Sequence, residues 1–170
     1  AAAHFKQPVP AFLASVERIV HGTTLGTNAL IVRRGAKVGM ITTAGFRDVI
    51  EMRRGIKSLH GSIFDQFVEP YEPLVPRYLR LPVEERIGYT GDVLTRLNEK
   101  QVAEAARNLV KEGCDAIAIC FLSAYVNPAH ERRAKEIVRE VAPKAYITTS
   151  HEILPVWREF ERFSTTVISA

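Results

Sequence analysis

The nine residues CDAIAICFL, at 114–122, constrain this chain more than any other stretch. An apolar run broken only by Asp115 and framed by two amphipathic helical patterns reads as a strand buried on both sides. Such a strand belongs in a parallel sheet with helices over each face. Upstream, Asn98 followed by Gln101 is a capping-box pattern, and Val102, Ala105, Ala106, Leu109 and Val110 fall on one helical face up to Gly113. Downstream, Asn127 and Pro128 take the N-cap and N1 positions of a second helix. Its Ala134, Ile137, Val138 and Val141 face inward, and Pro143 lies just past its end. AYITTS is then the next strand, and LPVWREFERFSTTVISA the last helix.

The first third repeats the alternation in a less regular form. VERIVH enters a short strand, and GTTLGTNALIVRRG reads as a helix capped by Thr23 or Thr24. Leu25, Ala29 and Val32 turn inward, and Gly35 ends the helix. KVGMITT is a short buried strand, followed by AGFRDVIEMRRG with Phe46, Val49 and Ile50 on one face. Strand, turn and helix in succession argue for crossover connections. Residues 56–97 break the pattern. They carry Pro70, Pro73, Pro76 and Pro82 without helical period, and LRLPVEERIGYTGDVLTRL alternates around Gly88 and Gly91 as a β-hairpin or a pair of edge strands does.

Composition excludes several classes. At 46% hydrophobic and 25% charged the chain is an ordinary globular one. No apolar run reaches the roughly 18–20 residues a bilayer requires, and no signal-peptide pattern opens it, so no membrane role and a cytoplasmic location are expected. The net charge of +4 is scattered in pairs such as Arg33–Arg34 and Arg132–Arg133, without a basic stripe, which argues against nucleic acid. Cys114 and Cys120, six positions apart along one strand, lie too far apart to bond to each other and read as buried thiols. The chain opens AAAHFKQPVPAFL without Met and closes inside a helical run, so it is expected to be a piece of something longer.

The chemistry-bearing candidates gather at two strand-to-helix turns. In HGTTLGTN, the backbone of Gly22, Thr23 and Thr24 and the two hydroxyls suit an anion at a helix start, and His21 stands beside them. The same residues also serve simply as a turn and an N-cap, and both readings stand. The spacing matches neither a P-loop nor a dinucleotide fingerprint. Thr42 and Thr43, in ITTAGFRD, repeat the chemistry at a second strand end and could share one rim with the first turn. Arg47 and Glu51 have the spacing of an ion pair on a solvated helix face. Around Trp157, Arg158, Glu161 and Arg162 suit core packing with snorkelling charges. The five histidines, 4, 21, 60, 130 and 151, show no metal-site spacing, and no nucleophile context points to a catalytic residue.

HGTTLGTNALIVRRGAKVGMITTAGFRDVIEMRRG, YEPLVPRYLRLPVEERI, GCDAIAICFLSAYVNPAHERRAKEIV and SHEILPVWREFERFSTTVISA, taken together and in order, resemble the N-terminal region of the hydantoinase A / 5-oxoprolinase family. The resemblance runs from about residue 16 to the end. It implies an extension or linker at 1–15 and an incomplete α/β domain at 16–170, with an inserted proline-rich and hairpin segment at about 56–97. The implied fold is a lobe of the ribonuclease H-like architecture of actin, sugar kinases and chaperone ATPases.

The family implies an ATP-dependent cyclic amide hydrolase. An amide is a poor electrophile because resonance stabilises it, and phosphorylation of its oxygen makes an imidate that water can open; positioning and charge neutralisation carry such a step. The same chemistry serves the acetone and acetophenone carboxylase branch, and a non-catalytic assembly or regulatory module keeps the fold without nucleotide. ATP and Mg belong to the full-length enzyme. The family's Gly/Thr-rich phosphate hairpins do not occur in this sequence, so this fragment alone is expected to hold neither and to be inactive. The resemblance further implies a hydantoinase B-like second subunit, a small cyclic amide substrate and an oligomer. It places His21, Thr23 and Thr24 on the rim facing the transferred phosphate or substrate, with Asn28 one turn further in.

Overall fold

A computed structural model describes residues 4–18, 20, 22–55, 67 and 71–170. It divides into two compact units, residues 1–35 and 36–170.

The first unit holds two short helices, α1 (Val9–Ala14) and α2 (Leu25–Ile31). Pro8 starts α1 with a φ suited to helix entry, and Phe5 stacks on Phe12 at 5.7 Å. No strand forms among the described residues of VERIVH, where the sequence suggests one. Helix α2 ends at Ile31, short of Gly35, and Arg33 turns into a left-handed φ of 49°. Its expected inward face is not formed. Leu25 and Val32 are 77% and 58% exposed, because this seven-residue helix has no strand among the described residues of its unit to pack on.

The second unit is built on a four-stranded, wholly parallel sheet in the order β2-β1-β5-β6. Its strands are β1 (Val38–Thr43), β2 (Arg80–Val83), β5 (Ala116–Cys120) and β6 (Tyr146–Thr149). The run 114–122 supplies the central strand, every residue of β5 is buried, and it pairs with β1 on one side and β6 on the other. A separate antiparallel pair, β3 (Arg86–Ile87) and β4 (Val93–Thr95), is the inserted hairpin. The segment LRLPV is an edge strand paired in parallel with β1, with Met40 opposite Arg80. Pro82 is tolerated there because Val83 turns its carbonyl to Ala44 N–H of the β1 side, so the proline nitrogen faces outward.

Helices cover both faces. On one lie α4 (Glu99–Lys111) and α5 (Ala129–Val141); on the other lie α3 (Val49–Met52) and α7 (Glu159–Ser169), with the short α6 (Ser150–Ile153) between β6 and α7. Gly39 marks the close approach of α4 to β1, since a Cβ there would stand 2.5 Å from a Leu109 methyl. The side chain of Asn98 caps α4 by accepting from Gln101 N–H at 3.2 Å. The helix closes in a Schellman arrangement: Gly113 at φ 76°, its N–H on Val110 O, and Cys114 N–H on Leu109 O. At the start of α5 the Asn127 side chain accepts from Ala129 N–H at 3.1 Å, and its amide donates to Gly91 O at 2.8 Å, tying the hairpin loop to the helix. Among the described residues, no helix is long and apolar enough to cross a membrane.

Candidate functional site

All four parallel strands deliver their carboxyl ends to one rim, where an open α/β sheet takes its ligands. Buried polar side chains are concentrated there. Glu131, in the first turn of α5, is fully buried. One of its carboxylate oxygens accepts from Phe121 N–H at 2.8 Å and Ser150 Oγ at 2.6 Å. The other accepts from His151 N–H at 2.9 Å and contacts His151 Nδ1 at 2.7 Å. The ends of β5 and β6 are thereby tied to one charge. Arg162 of α7 completes the knot from the opposite face. Its Nε donates to Ser150 Oγ at 3.2 Å and its Nη2 to Phe121 O at 3.1 Å, and a Glu159 oxygen lies 3.7 Å away. Its guanidinium also lies 5.4 Å from the Tyr125 ring centre. Arg162 therefore does not snorkel as the sequence suggests; it is wholly buried and pays its desolvation with hydrogen bonds.

A second knot joins β1 and β2. Thr43 Oγ1 donates to the Glu85 carboxylate and accepts from Leu122 N–H at 3.0 Å, while the other Glu85 oxygen meets His130 Nδ1 at 2.8 Å. The Thr43 hydroxyl is thus engaged within the fold. Its neighbour Thr42 points to the other face, fully buried, with no partner for its hydroxyl among the described residues.

In the first unit, Gly22, Thr23, Thr24 and Asn28 are exposed. Thr23 Oγ1 accepts from Leu25 N–H at 3.2 Å, and the Asn28 amide reaches Thr24 Oγ1 at 3.5 Å. His21 lies outside the described residues, and so does His60. The two Thr pairs fall in different compact units, each described by itself.

The pairing of Arg47 with Glu51 is replaced by a tertiary one. Arg80, buried on β2, takes Glu51 at 2.6 Å and Asp48 at 3.1 Å, and Arg77 adds a two-point contact to Asp48. Hydrogen bonding from Arg77, with the nearby charges of Arg77, Arg80 and Arg47, holds the Asp48 carboxyl below its usual range. Burial pushes the thiol of Cys120 well up and that of Cys114 up, so both behave as apolar core groups.

Sequence reasoning misses Glu85, His130, Glu131, His151 and Arg162 as members of the rim. A signal exists for two of them. His130 and Glu131 share the face of α5 that carries Ala134, Ile137 and Val138, so helical spacing already turns them inward. Among the described residues no group of three or more His, Cys, Asp or Glu gathers to hold a metal.

A family model described as hydantoinase/oxoprolinase N-terminal region matches residues 3–142. The caprolactamase subunit alpha of Pseudomonas jessenii is 37% identical over 158 residues, which is 93% of this chain and 23% of that protein. The crystal structure of the ATP-dependent caprolactamase from Pseudomonas jessenii superimposes with a TM-score of 0.85 at 35% identity, over 99% of this chain and 24% of that one. A nucleotide-free acetone carboxylase superimposes with a TM-score of 0.87 at 30% identity, over 98% of this chain and 25% of that one. The chain thus spans about a quarter of the length of these relatives, and its parallel sheet with crossover helices is that of an actin-like, ribonuclease H-like lobe.

Proposed function

This chain belongs to the hydantoinase/oxoprolinase family, and from that premise we propose that it works as one region of the ATP-dependent subunit of a cyclic amide hydrolase. The observation that carries the proposal is the 37% identity to the caprolactamase alpha subunit, sustained over 93% of the chain. ATP, when bound, would supply a phosphoryl group to the amide oxygen, which removes the amide resonance and opens the carbonyl carbon to water; the ring C–N bond then breaks with its nitrogen leaving as the protonated amine, and phosphate is released. The substrate class is a lactam or hydantoin, the working location the cytoplasm, and the partner a hydantoinase B-like second subunit within an oligomer. That relative is the alpha subunit of its enzyme, which supports a partner subunit.

The donor set fits part of a phosphate site. Gly22 leaves open space where a Cβ would stand, so phosphate oxygens can approach its backbone. Thr23 uses its oxygen as an acceptor and keeps its O–H to donate, and Thr24 is exposed beside it. These residues, with His21 and Asn28, would orient a transferred phosphate or the amide. This region's share is positioning, with ATP and Mg held by the whole enzyme.

The carboxylase reading keeps a specific observation in its favour, the TM-score of 0.87 to acetone carboxylase. The test is ATP hydrolysis by the intact protein with its partner subunit, in the presence of caprolactam, hydantoin, 5-oxoproline or acetone with bicarbonate. Hydrolysis coupled to ring opening is expected. Stimulation by the ketone alone replaces the reading with the carboxylase one. Absence of any ATP turnover, together with no heat on titrating Mg-ATP, leaves the non-catalytic module. Thr23→Ala or Thr24→Ala should lower turnover while leaving thermal stability intact.

A further inference from the structure

The strand order places a switch point between β1 and β5. From β1 the chain crosses to β2 on one side, and then reaches β5 on the other side of β1. In an open sheet the crevice outside such a pair is the favoured ligand position. A groove of about 390 Å³ lies there, bordered by Phe46 just after β1 and Leu122 just after β5, with Trp157 and Phe160 completing an apolar lining. Its size is that of a small-molecule site.

The groove's charges are unevenly spent. Arg54 is paired with Glu161, and Arg53 lies 4.8 Å from the Tyr71 ring centre. Arg158 makes no ion pair among the described residues, and its guanidinium rests over the Trp157 ring at 5.1 Å. Stacking on an indole holds a guanidinium in place while leaving its N–H edge open to an anion. Glu159 and Glu161 also line the groove. The two carboxylates act against a dianion, and the aromatic floor favours a body that is apolar or flat.

We propose that this groove at the β1–β5 switch point binds a small monocarboxylate with an apolar or aromatic body, its carboxylate on Arg158 and its body against Trp157, Phe160 and Phe46. This binding does not rest on the ATP-dependent reading. The reporter is built in, because Trp157 is the one tryptophan of the chain.

Titration of the full chain with benzoate should change the Trp157 emission saturably. Benzamide, with the ring but no charge, and acetate, with the charge but no ring, should each bind at least about tenfold more weakly, equivalent to about 1.4 kcal/mol. Arg158→Gln should weaken benzoate by a similar factor, and Arg158→Lys by less. Phenyl phosphate should bind more weakly than benzoate. Calorimetry on the same samples reads binding independently of the tryptophan, and circular dichroism establishes that each variant is folded. No saturable binding of benzoate, equal binding of benzamide, tighter binding of phenyl phosphate, or unchanged benzoate affinity in folded Arg158→Gln each overturns the assignment.

Discussion

Glu131→Gln should destabilise the second unit by about 1–3 kcal/mol, and Glu131→Ala by about 2–6 kcal/mol, the cost of leaving one or two buried donors unpaired. The geometry sets these figures. With Gln in place, the amide oxygen can keep Phe121 N–H and Ser150 Oγ, but its NH₂ then faces His151 N–H, donor against donor. Alanine removes the acceptor from both backbone amides, at the ends of β5 and β6, and leaves Arg162 facing Ser150 without the carboxylate behind it. Against a total stability of about 5–15 kcal/mol, the alanine variant approaches unfolding. Urea titration followed by far-UV circular dichroism measures the effect. With a slope of about 1–3 kcal/mol/M, a loss of 2 kcal/mol moves the midpoint by about 1 M. A glutamine variant whose midpoint matches the parent chain, or an alanine variant no worse than glutamine, refutes the view that this carboxylate holds the strand ends together.

Three other perturbations separate structural from spare groups. Thr42→Val should be neutral or stabilising in thermal melts, because it removes an unpartnered buried hydroxyl, whereas Thr43→Val strips the Leu122 amide and Glu85 of a partner and should cost about 1–3 kcal/mol; equal effects would contradict the geometry. Gly39→Ala forces its Cβ against Leu109 and should cost about 1–3 kcal/mol by overpacking. Combined with Leu109→Ala, it should cost less than the sum of the two, read as a double-mutant cycle in urea. The Asp48 carboxyl has a folded pKa below its ordinary value of 3.8. The stability it contributes is therefore present above that value and fades as pH falls through the depressed pKa, and Asp48→Asn should flatten that part of the acid limb of a stability–pH curve.

The centre of the sheet is legible in the sequence because local and tertiary preferences agree there. The apolar run of β5, the Asn98 cap and the Gly113 stop all describe the same elements that form. The segment LRLPV is misleading by its own composition. Proline and nearby turn residues suggest a hairpin or a pair of edge strands; it is an edge strand, but its partner is β1, some forty positions away, and local pattern carries no trace of that pairing. Helix α2 has a helical stripe but no strand among the described residues of its own unit to pack on, so periodicity alone overstates the packing. The candidate site divides in the same way. The Thr residues stand out because Gly and Thr mark turns, whereas Arg162 reads as a snorkelling charge beside Trp157, and only the packing of α7 against the strand ends shows it wholly buried. His130 and Glu131 mark the exception, since their inward register was available from helical spacing.

Pro82 leaves the outward side of β2 one hydrogen-bond donor short. An incoming strand, from a longer chain or another copy, cannot complete a ladder along that border. On the opposite border β6 carries no proline, and its residues 147 and 149 turn their amide groups away from β5. Addition to this sheet is therefore favoured beside β6, and the missing donor guards the β2 border against edge-to-edge aggregation.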